Sequence, residues 1–151
     1  MTEKSQIAIR DLASSDRDDW TRLWTDYLTY YETKLPADIY ETTWQRLFDP
    51  NIYEPKGKLA LVAGKPVGLV HFIQHRSCWS KANSLYLQDL YADPDVRGTG
   101  IGRALIEAVY AHADGLGIRN VYWMTKEDNA TGRRLYDWVA RRTGFIEYDR
   151  G

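Results

Sequence analysis

Three glycines occupy alternate positions in the stretch "DPDVRGTGIGR" (93–103), at Gly98, Gly100 and Gly102, and Arg97 and Arg103 flank them. Residues that favour a helix follow directly. The N–H groups of a first helical turn have no acceptor within the helix and lie at the positive end of its dipole. Glycine tolerates positive φ and lets a ligand approach the backbone closely. The pattern therefore predicts a phosphate or pyrophosphate site, to which the two arginines add charge-assisted hydrogen bonds.

Other interpretations of this stretch explain less of it. A flexible turn from strand to helix accounts for one glycine better than for three. A P-loop requires Gly-Lys followed by Ser or Thr, which this stretch lacks. A dinucleotide fingerprint requires a third glycine where Arg103 stands, and it should open the first βα unit of a parallel sheet.

The elements around the loop follow from hydrophobic periodicity. Alternation predicts a strand over 6–13, and helical spacing predicts a helix ending near Glu32 and a second helix between Pro36 and Pro50. The first helix presents one apolar face, formed by Trp20, Trp24, Tyr27, Leu28 and Tyr31. A hairpin follows, "KLALVA" and "KPVGLVHFIQHRS", with Gly64-Lys65 as its turn.

The next strand, "NSLYLQDLYA" (83–92), changes its alternation in the middle. Leu85 and Leu87 share one parity, whereas Leu90 has the other. A slip of one residue inside a strand indicates a β-bulge. Pro94 ends this strand, directly before the glycine loop.

Four further elements complete the chain. The helix after the glycines has one apolar face, formed by Ile101, Ala104, Leu105, Ala108, Val109 and His112. A strand over 118–125 precedes a helix that begins at an Asn129 N-cap and ends at Gly144, and "FIEYDR" predicts a last strand. On the last helix, we expect Leu135, Trp138 and Val139 to form a buried stripe and Asn129, Gly132 and Tyr136 to share another face. The order β-α-α-β-β-β-α-β-α-β predicts an α/β (α+β) fold with a mixed sheet.

Composition narrows the class of protein. A chain of 151 residues is expected to form one domain, residues 1–151, and its net charge of −1 does not favour a nucleic acid or membrane partner. The N-terminus "MTEKSQIAIRDL" lacks the apolar core of a signal peptide. Cys78 is the one cysteine, so the chain forms no internal disulfide or cysteine-based zinc site, and no metal is expected. These features favour a cytoplasmic protein.

The glycine loop resembles the acyl-CoA loop of the GCN5-related N-acetyltransferases (GNAT), with Arg97, Gly100 and Gly102 at the characteristic positions. The segments "YLQDLYADPDVRGTGIGRALIEAV", "VYWMT" and "EDNATGRRLYDWVARRTGF" follow in that family's order and spacing, over roughly 59–149. The N-terminal "DWTRLWTDYLTYYE" looks like the branch that acetylates histone tails, polyamines or amino acids. The resemblance implies a mostly antiparallel sheet flanked by about four helices, with a bulged, splayed central strand.

The resemblance also implies roles for individual residues. Backbone groups of Leu90, Tyr91 and Ala92 would bond the pantetheine arm, Asn129 would contact it, and Tyr136 would lie near the thioester sulfur. The amides of the loop would hold the pyrophosphate; these belong to Arg97, Gly98, Thr99, Gly100, Ile101, Gly102 and Arg103. No metal is implied, and the cofactor is acetyl-CoA.

Acetyl transfer to an amine sets three chemical requirements. The ammonium must lose its proton, since its ordinary pKa is about 10.4; the oxyanion must be stabilised; and the thiolate must receive a proton. Tyr136 could supply that proton, and the N–H of Leu90 or Tyr91 could serve the oxyanion. Asp89 is the candidate base, acting through water, and Glu32, His71 and His75 stay open. Related polyamine enzymes have Glu-Asp where this chain has Gln88-Asp89, so their base does not carry over directly.

Charge suggests an amine acceptor. Residues 11–50 hold nine acidic and four basic side chains, in the segment that would form the acceptor side of a family member. Acidic and aromatic walls suit a cation, although a solvated acidic face explains the same pattern. We expect the acceptor to contact Tyr27, Tyr31, Glu32, Gln88 and Asp89.

The sequence thus predicts an N-acetyltransferase that acts on a polyamine, an amino acid or a lysine side chain by direct attack in a ternary complex. A non-catalytic acyl-CoA-binding regulatory module is the alternative, and a protein-interaction domain is a third possibility. Because the chain stops soon after "FIEYDR", an exposed sheet edge predicts a homodimer.

Overall fold

The computed structural model describes residues 6–151. The prediction that the N-terminus lacks the apolar core of a signal peptide rests partly on residues 1–5, which lie outside the described residues. Within residues 6–151 the chain forms four α-helices, as the resemblance implied, and five strands, one fewer than the sequence predicted. In chain order they are β1 (Ile7–Asp11), α1 (Arg17–Tyr30), α2 (Ala37–Leu47), β2 (Lys56–Val62), β3 (Lys65–His75), β4 (Ser84–Ala92), α3 (Ile101–Gly115), β5 (Val121–Tyr122) and α4 (Ala130–Val139).

The five strands form one open sheet in the order β1-β2-β3-β4-β5. Neighbouring strands are antiparallel except β4 and β5, which are parallel, so the predicted mixed sheet is confirmed. The β2–β3 turn consists of Ala63 and Gly64, at φ 52° and 76°. Two positive φ angles are the geometry of a type I′ turn. The turn therefore lies one residue earlier than predicted, and Lys65 belongs to β3.

The β-bulge in β4 is confirmed. The register runs from His71 opposite Asp89 to Phe72 opposite Leu87, which leaves Gln88 as the extra residue on β4. Because of that residue, Leu87 and Leu90 reach the same core cluster despite their opposite parity.

Apolar side chains pack on both faces of the sheet. One core lies under α3 and contains Leu85, Leu105 and Val109. The other lies under α1 and α2 and contains Trp20 and Trp44. β4 contributes to both, so it is the central element of the molecule. Of the residues that the structure describes, no helix is long and apolar enough to cross a bilayer.

The C-terminal part differs from the prediction in three ways. β5 is only Val121–Tyr122, and α4 ends at Val139 because Ala140 is extended, well before Gly144. Residues 141–151 have no regular secondary structure, so the predicted last strand is wrong for the single chain. A strand needs a neighbour for its backbone groups, and so short a β5 gives this segment none.

The predicted buried stripe on α4 is wrong at one position. Trp138 is 72% exposed, whereas Leu135 and Val139 pack against the α3 core. The guanidinium of Arg103 lies 4.5 Å from the centroid of the Trp138 ring. The indole is therefore covered by a cation rather than by the core.

Candidate functional site

A gap opens between β4 and β5 beyond the bulge. The two strands pair only at Leu85–Val121 and Tyr86–Tyr122, and β4 then continues to Ala92 alone on that side. The N–H of Asp93 donates to Val67 O on the β3 side, at 2.8 Å. Backbone groups of successive strand residues alternate in direction. Leu90 and Ala92 therefore face the gap, as predicted, whereas the backbone of Tyr91 faces β3.

The glycine loop joins the end of β4 to the start of α3. Gly98 and Gly100 have φ angles of 83° and 97°, and Gly100 is the residue that precedes the helix. The N–H of Ala104 is the first to find a helical acceptor, Gly100 O, at 2.9 Å. Across the described chain, no acceptor is bonded to the amides before it, those of Gly98, Gly100, Ile101, Gly102 and Arg103. Such free N–H groups at a helix start form an anion site.

The remaining loop residues hold this geometry. The side chain of Ile101 is buried in the core, and the Thr99 hydroxyl donates to Val96 O. A Cβ on Gly102 would lie 3.2 Å from Cδ2 of Leu135. The third glycine therefore lets α4 pack closely against α3, a reason the sequence did not suggest.

Both arginines flank the loop, and each has its own partner. Arg97 donates from Nε to Ala92 O at 3.0 Å, and its guanidinium lies 5.7 Å from the ring centroid of Tyr91. Arg103 donates from Nε to Glu107 at 3.1 Å. A cleft of about 400 Å³ opens beside the loop, lined by Asp26, Thr29, Tyr30, Tyr91, Pro94 and Arg97.

The start of α4 is built around Asn129, the predicted N-cap. Its side chain accepts from the N–H of Gly132 at 3.2 Å and donates to Thr125 Oγ1 at 2.9 Å. A Cβ on Gly132 would lie 2.4 Å from Asn129 Nδ2. Gly132 thus makes room for the capping side chain of Asn129.

Tyr136 lies one turn further along α4 and is half-buried, with its ring edge-to-face against Trp123 at 5.6 Å. Burial, with smaller contributions from Tyr31 and Tyr30, raises the pKa of Tyr136 to about 12. No group in the described residues hydrogen-bonds its hydroxyl. Tyr136 therefore keeps its proton near neutral pH and suits an acid rather than a base.

Asp89 follows the bulge and is held from two sides. Its Oδ2 accepts from Trp24 Nε1 at 3.2 Å and bonds His71 Nδ1 at 2.8 Å. The charge of Asp89 raises the pKa values of three tyrosines, after the larger effect of burial on each: Tyr27, Tyr31 and Tyr86. The structure thus brings Asp89, Tyr27 and Tyr31 together, and Tyr31 also adjoins Tyr136.

Three other candidates lie apart from this group. Gln88 is the exposed residue of the bulge. Glu32 is exposed and lines a second cleft, of about 320 Å³, with Lys34 and Tyr40. His75 uses both ring nitrogens, one with Arg76 O and one with the Tyr122 hydroxyl, each at 2.7 Å.

Sequence reasoning missed three residues of this site. Tyr86 lies near Asp89, Trp20 bonds the far side of His71, and Lys126 Nζ lies 5.7 Å from the ring centroid of Tyr31. Trp20 and Trp24 are four residues apart on one helical face, a signal that pointed only to a core. In the part of the chain described, no three His, Cys, Asp or Glu side chains form a group that could hold a metal.

Comparison with known proteins gives one family. The model of the acetyltransferase (GNAT) family matches residues 11–140. The D-amino-acid N-acetyltransferase HPA3 of Saccharomyces cerevisiae is 34% identical over 147 residues, which cover 96% of this chain and 91% of that protein.

Solved structures show the same fold. The ribosomal-protein-alanine N-acetyltransferase from Brucella melitensis biovar Abortus 2308 superposes with a TM-score of 0.76 at 23% identity, covering 95% of this chain and 98% of that one. The aminoglycoside N-acetyltransferase AAC(6')-Iy in complex with CoA has a TM-score of 0.84 at 15% identity, covering 100% and 98%.

Proposed function

Because the chain belongs to the GNAT family of acetyltransferases, it is an acetyl-CoA-dependent N-acetyltransferase, and we propose that its acceptor is the α-amino group of a free amino acid. The observation that carries the proposal is that opposite charges act on the surroundings of one tyrosine: Lys126 Nζ lies 5.7 Å from the ring centroid of Tyr31, and the charge of Asp89 contributes to the raised pKa of Tyr31. A carboxylate and an ammonium group so placed match the two charges of a zwitterion.

The donor side fits the residues present. The free amides of Gly98, Gly100, Ile101, Gly102 and Arg103 would hold the pyrophosphate, whereas the predicted amides of Arg97 and Thr99 already donate to Pro94 O and Val96 O. The backbone of Leu90, which faces the gap, and the N–H of Ala92 would bond the pantetheine arm, since Ala92 O already accepts from Arg97. Acetyl-CoA supplies a thioester, whose acetyl group the amine receives. Arg97 and Arg103 are accessible beside the loop and would add positive charge.

The residues around Asp89 and Tyr136 would perform the transfer. Asp89 binds the acceptor's ammonium group and takes up its proton through water, and the free amine then attacks directly in a ternary complex. The N–H of Leu90, which faces the gap, stabilises the negative charge that develops on the acetyl oxygen. Tyr136 donates its proton to the departing sulfur, since burial keeps its hydroxyl protonated.

The positive charge of Lys126 on the acceptor side would favour amino acids over polyamines. Lys126 would attract the carboxylate of an amino acid and repel a second cationic centre. The related HPA3 protein is named a D-amino-acid N-acetyltransferase, which supports the same class of acceptor. The sequence also allowed lysine side chains and polyamines as acceptors. These acceptors would bring no free carboxylate to pair with the ammonium group of Lys126.

The test is release of free CoA thiol from acetyl-CoA with a panel of D- and L-amino acids, polyamines and lysine peptides. We expect turnover with amino acids, and lower turnover with the corresponding amino-acid amides, in which the carboxylate charge is absent. Turnover confined to polyamines or peptides would contradict the proposal.

Lys126→Ala tests the specificity directly. It should raise the KM for the best amino acid about ten-fold, which corresponds to a lost charge pair of about 1.4 kcal/mol, and leave the KM for its amide unchanged. Lys65→Ala, at the exposed first residue of β3, is the matched control and should change neither value. Equal changes with acid and amide would show that Lys126 does not bind the carboxylate.

Two further expectations remain proposals. We propose a homodimer, because β5 is a short edge strand and the segment 141–151 exposes several apolar side chains. We also keep the prediction of a cytoplasmic protein, which rests on the sequence alone.

A further inference from the structure

A buried chain of hydrogen bonds runs from α1 through β3 to Asp89. Trp20 Nε1 donates to Nε2 of His71 at 2.9 Å, and Nδ1 of His71 bonds Oδ2 of Asp89 at 2.8 Å. Trp20 is fully buried, and His71 is 3% exposed. Trp24 adds a second donor to the same carboxylate oxygen, at 3.2 Å.

The chain determines which nitrogen of His71 carries the proton. An indole N–H can only donate, so Nε2 of His71 must be an acceptor without a hydrogen. The neutral ring then carries its hydrogen on Nδ1 and donates it to Asp89. Protonating Nε2 would break the bond to Trp20 in a place that water does not reach, so the neutral form is the one that fits.

The order of the groups, from Trp20 through His71 to Asp89, differs from the order around a histidine that acts as a base and is held by a carboxylate. In such an arrangement the histidine faces the substrate and the carboxylate lies behind it. Here His71 lies behind, and Asp89, with 13% of its side chain exposed, lies toward the tyrosines of the acceptor side. His71 therefore has no free nitrogen with which to act as a base.

We infer that His71 is a positioning residue, which donates its Nδ1 proton to Oδ2 of Asp89 and so holds the carboxylate ionised and oriented for the substrate's ammonium group. The inference rests on the role of Asp89 in the proposed function. It adds that the acceptor site is set by residues of three elements, α1, β3 and β4.

Other titratable groups surround Asp89 and bear on its charge. They are His71 on β3, Tyr27 on α1, Tyr31 directly after α1 and Tyr86 on β4, with Lys126 near the ring of Tyr31, and the charge of Glu147 acts weakly on Tyr86. The three tyrosines stay neutral near pH 7, because burial and Asp89 both raise their pKa values.

The first test reads the ring of His71 in the wild-type protein. Long-range ¹H–¹⁵N NMR spectra at pH 7, assigned with the His71→Phe variant, should show the Nδ1–H tautomer. An Nε2–H tautomer, or a charged ring at pH 7, would overturn the inference.

The second test measures binding without turnover. Propylammonium chloride should shift the Trp24 indole N–H signal, whereas tetramethylammonium chloride, which has no N–H to donate, should not. In His71→Phe, the Kd for propylammonium should rise about ten-fold. His112→Gln, a histidine change on the opposite face of the sheet, should leave the Kd unchanged.

These measurements separate the inference from the proposed function. If no amine on the panel is acetylated but the tautomer and the His71-dependent binding are found, the inference stands and the proposed function fails. If amino acids are acetylated but His71→Phe binds propylammonium as wild type does, the inference is overturned. Should His71→Phe not fold, Trp20→Phe, which removes the donor to Nε2, is measured in its place and should weaken propylammonium binding in the same direction.

Discussion

The proposed mechanism uses two side chains that are far apart in sequence. Asp89 acts at the acceptor amine, and Tyr136 acts at the departing sulfur. Asp89 is a carboxylate that accepts hydrogen bonds from His71 and Trp24, and Tyr136 is a protonated hydroxyl with a pKa of about 12. The charge of Asp89 contributes to the raised pKa of Tyr31, and Tyr31 contributes to that of Tyr136. In the proposed mechanism, Asp89 takes a proton from the amine and Tyr136 gives one to sulfur.

Tyr136→Phe should lower kcat by about 100-fold, the usual contribution of a general acid, with little change in the KM for acetyl-CoA. The ring and its contact with Trp123 are kept, so only the proton donor is lost. Steady-state kinetics on the best amino acid measure both constants. Tyr53→Phe, distant from the gap, is the control; an unchanged kcat in Tyr136→Phe would remove Tyr136 from the mechanism.

At the scale of elements, the glycine loop combines a positive φ at the start of a helix with backbone amides that are left free. Residues with a side chain adopt a positive φ poorly. Gly100 has φ 97° and lies where the helix begins, and the amides that follow have no acceptor among the residues described. The buried side chain of Ile101 fixes the helix start in the core. Backbone conformation, rather than any side chain, therefore forms the anion site.

Gly100→Ala should lower stability by about 1–2 kcal/mol, because a side chain disfavours positive φ, and should raise the KM for acetyl-CoA several-fold. Urea unfolding and kinetics measure the two effects. Gly115→Ala, at the other end of the same helix with negative φ and no atom within 4 Å of its Cβ, is the control. It should be neutral or slightly stabilising, and similar losses in both variants would contradict the assignment.

Asp16 joins β1 to α1. Arg10 donates to both of its carboxylate oxygens, at 2.7 and 2.9 Å, and the N–H of Ala13 donates at 2.7 Å. The bond from Arg10 is the main cause that lowers the pKa of Asp16. This stability is present above the unfolded pKa of about 3.9 and is lost as pH falls through the folded value.

Asp16→Asn should therefore destabilise the protein by about 1–3 kcal/mol at pH 7 and by less below pH 4. Urea unfolding across this pH range provides the measurement. Asp114→Asn, an exposed change at the end of α3, should stay within about 0.5 kcal/mol of wild type. A loss in Asp16→Asn that is independent of pH would show that the carboxylate charge does not contribute.

At the scale of the whole molecule, the C-terminal segment exposes apolar side chains. Phe145, Ile146 and Tyr148 are 85%, 74% and 89% exposed, and residues 141–151 pair with no strand among residues 6–151. Apolar side chains so exposed beside a sheet edge suit an interface with a second copy.

We expect a dimer mass in solution scattering, and the double variant Phe145→Asp/Ile146→Asp should shift it to the mass of a monomer. Charge at these positions would have to be buried without a partner in the interface. Trp79→Ser, which removes another exposed aromatic residue, should remain a dimer. A monomer mass for the wild-type protein at high concentration would contradict the prediction.

Local sequence predicted most of the fold because its signals are local. The alternation of β2 and β3, the slip around Gln88 and the apolar faces of α1 and α3 each depend on residues close in the chain. The same holds for the anion site, since the glycines and the helix that they precede are contiguous. The pattern failed at residues 145–150, where alternation was present but a neighbouring strand was not.

Tertiary structure alone decided what surrounds Asp89. His71 is opposite it only because the bulge sets the register, and Trp20 and Trp24 reach the pair only because α1 packs across β3 and β4. Such contacts join residues 18 to 65 positions apart, so no local period records them. The sequence by itself thus determined the family and predicted the donor loop and the candidate pair Asp89 and Tyr136, while packing between elements decided which groups hold the Asp89 carboxylate.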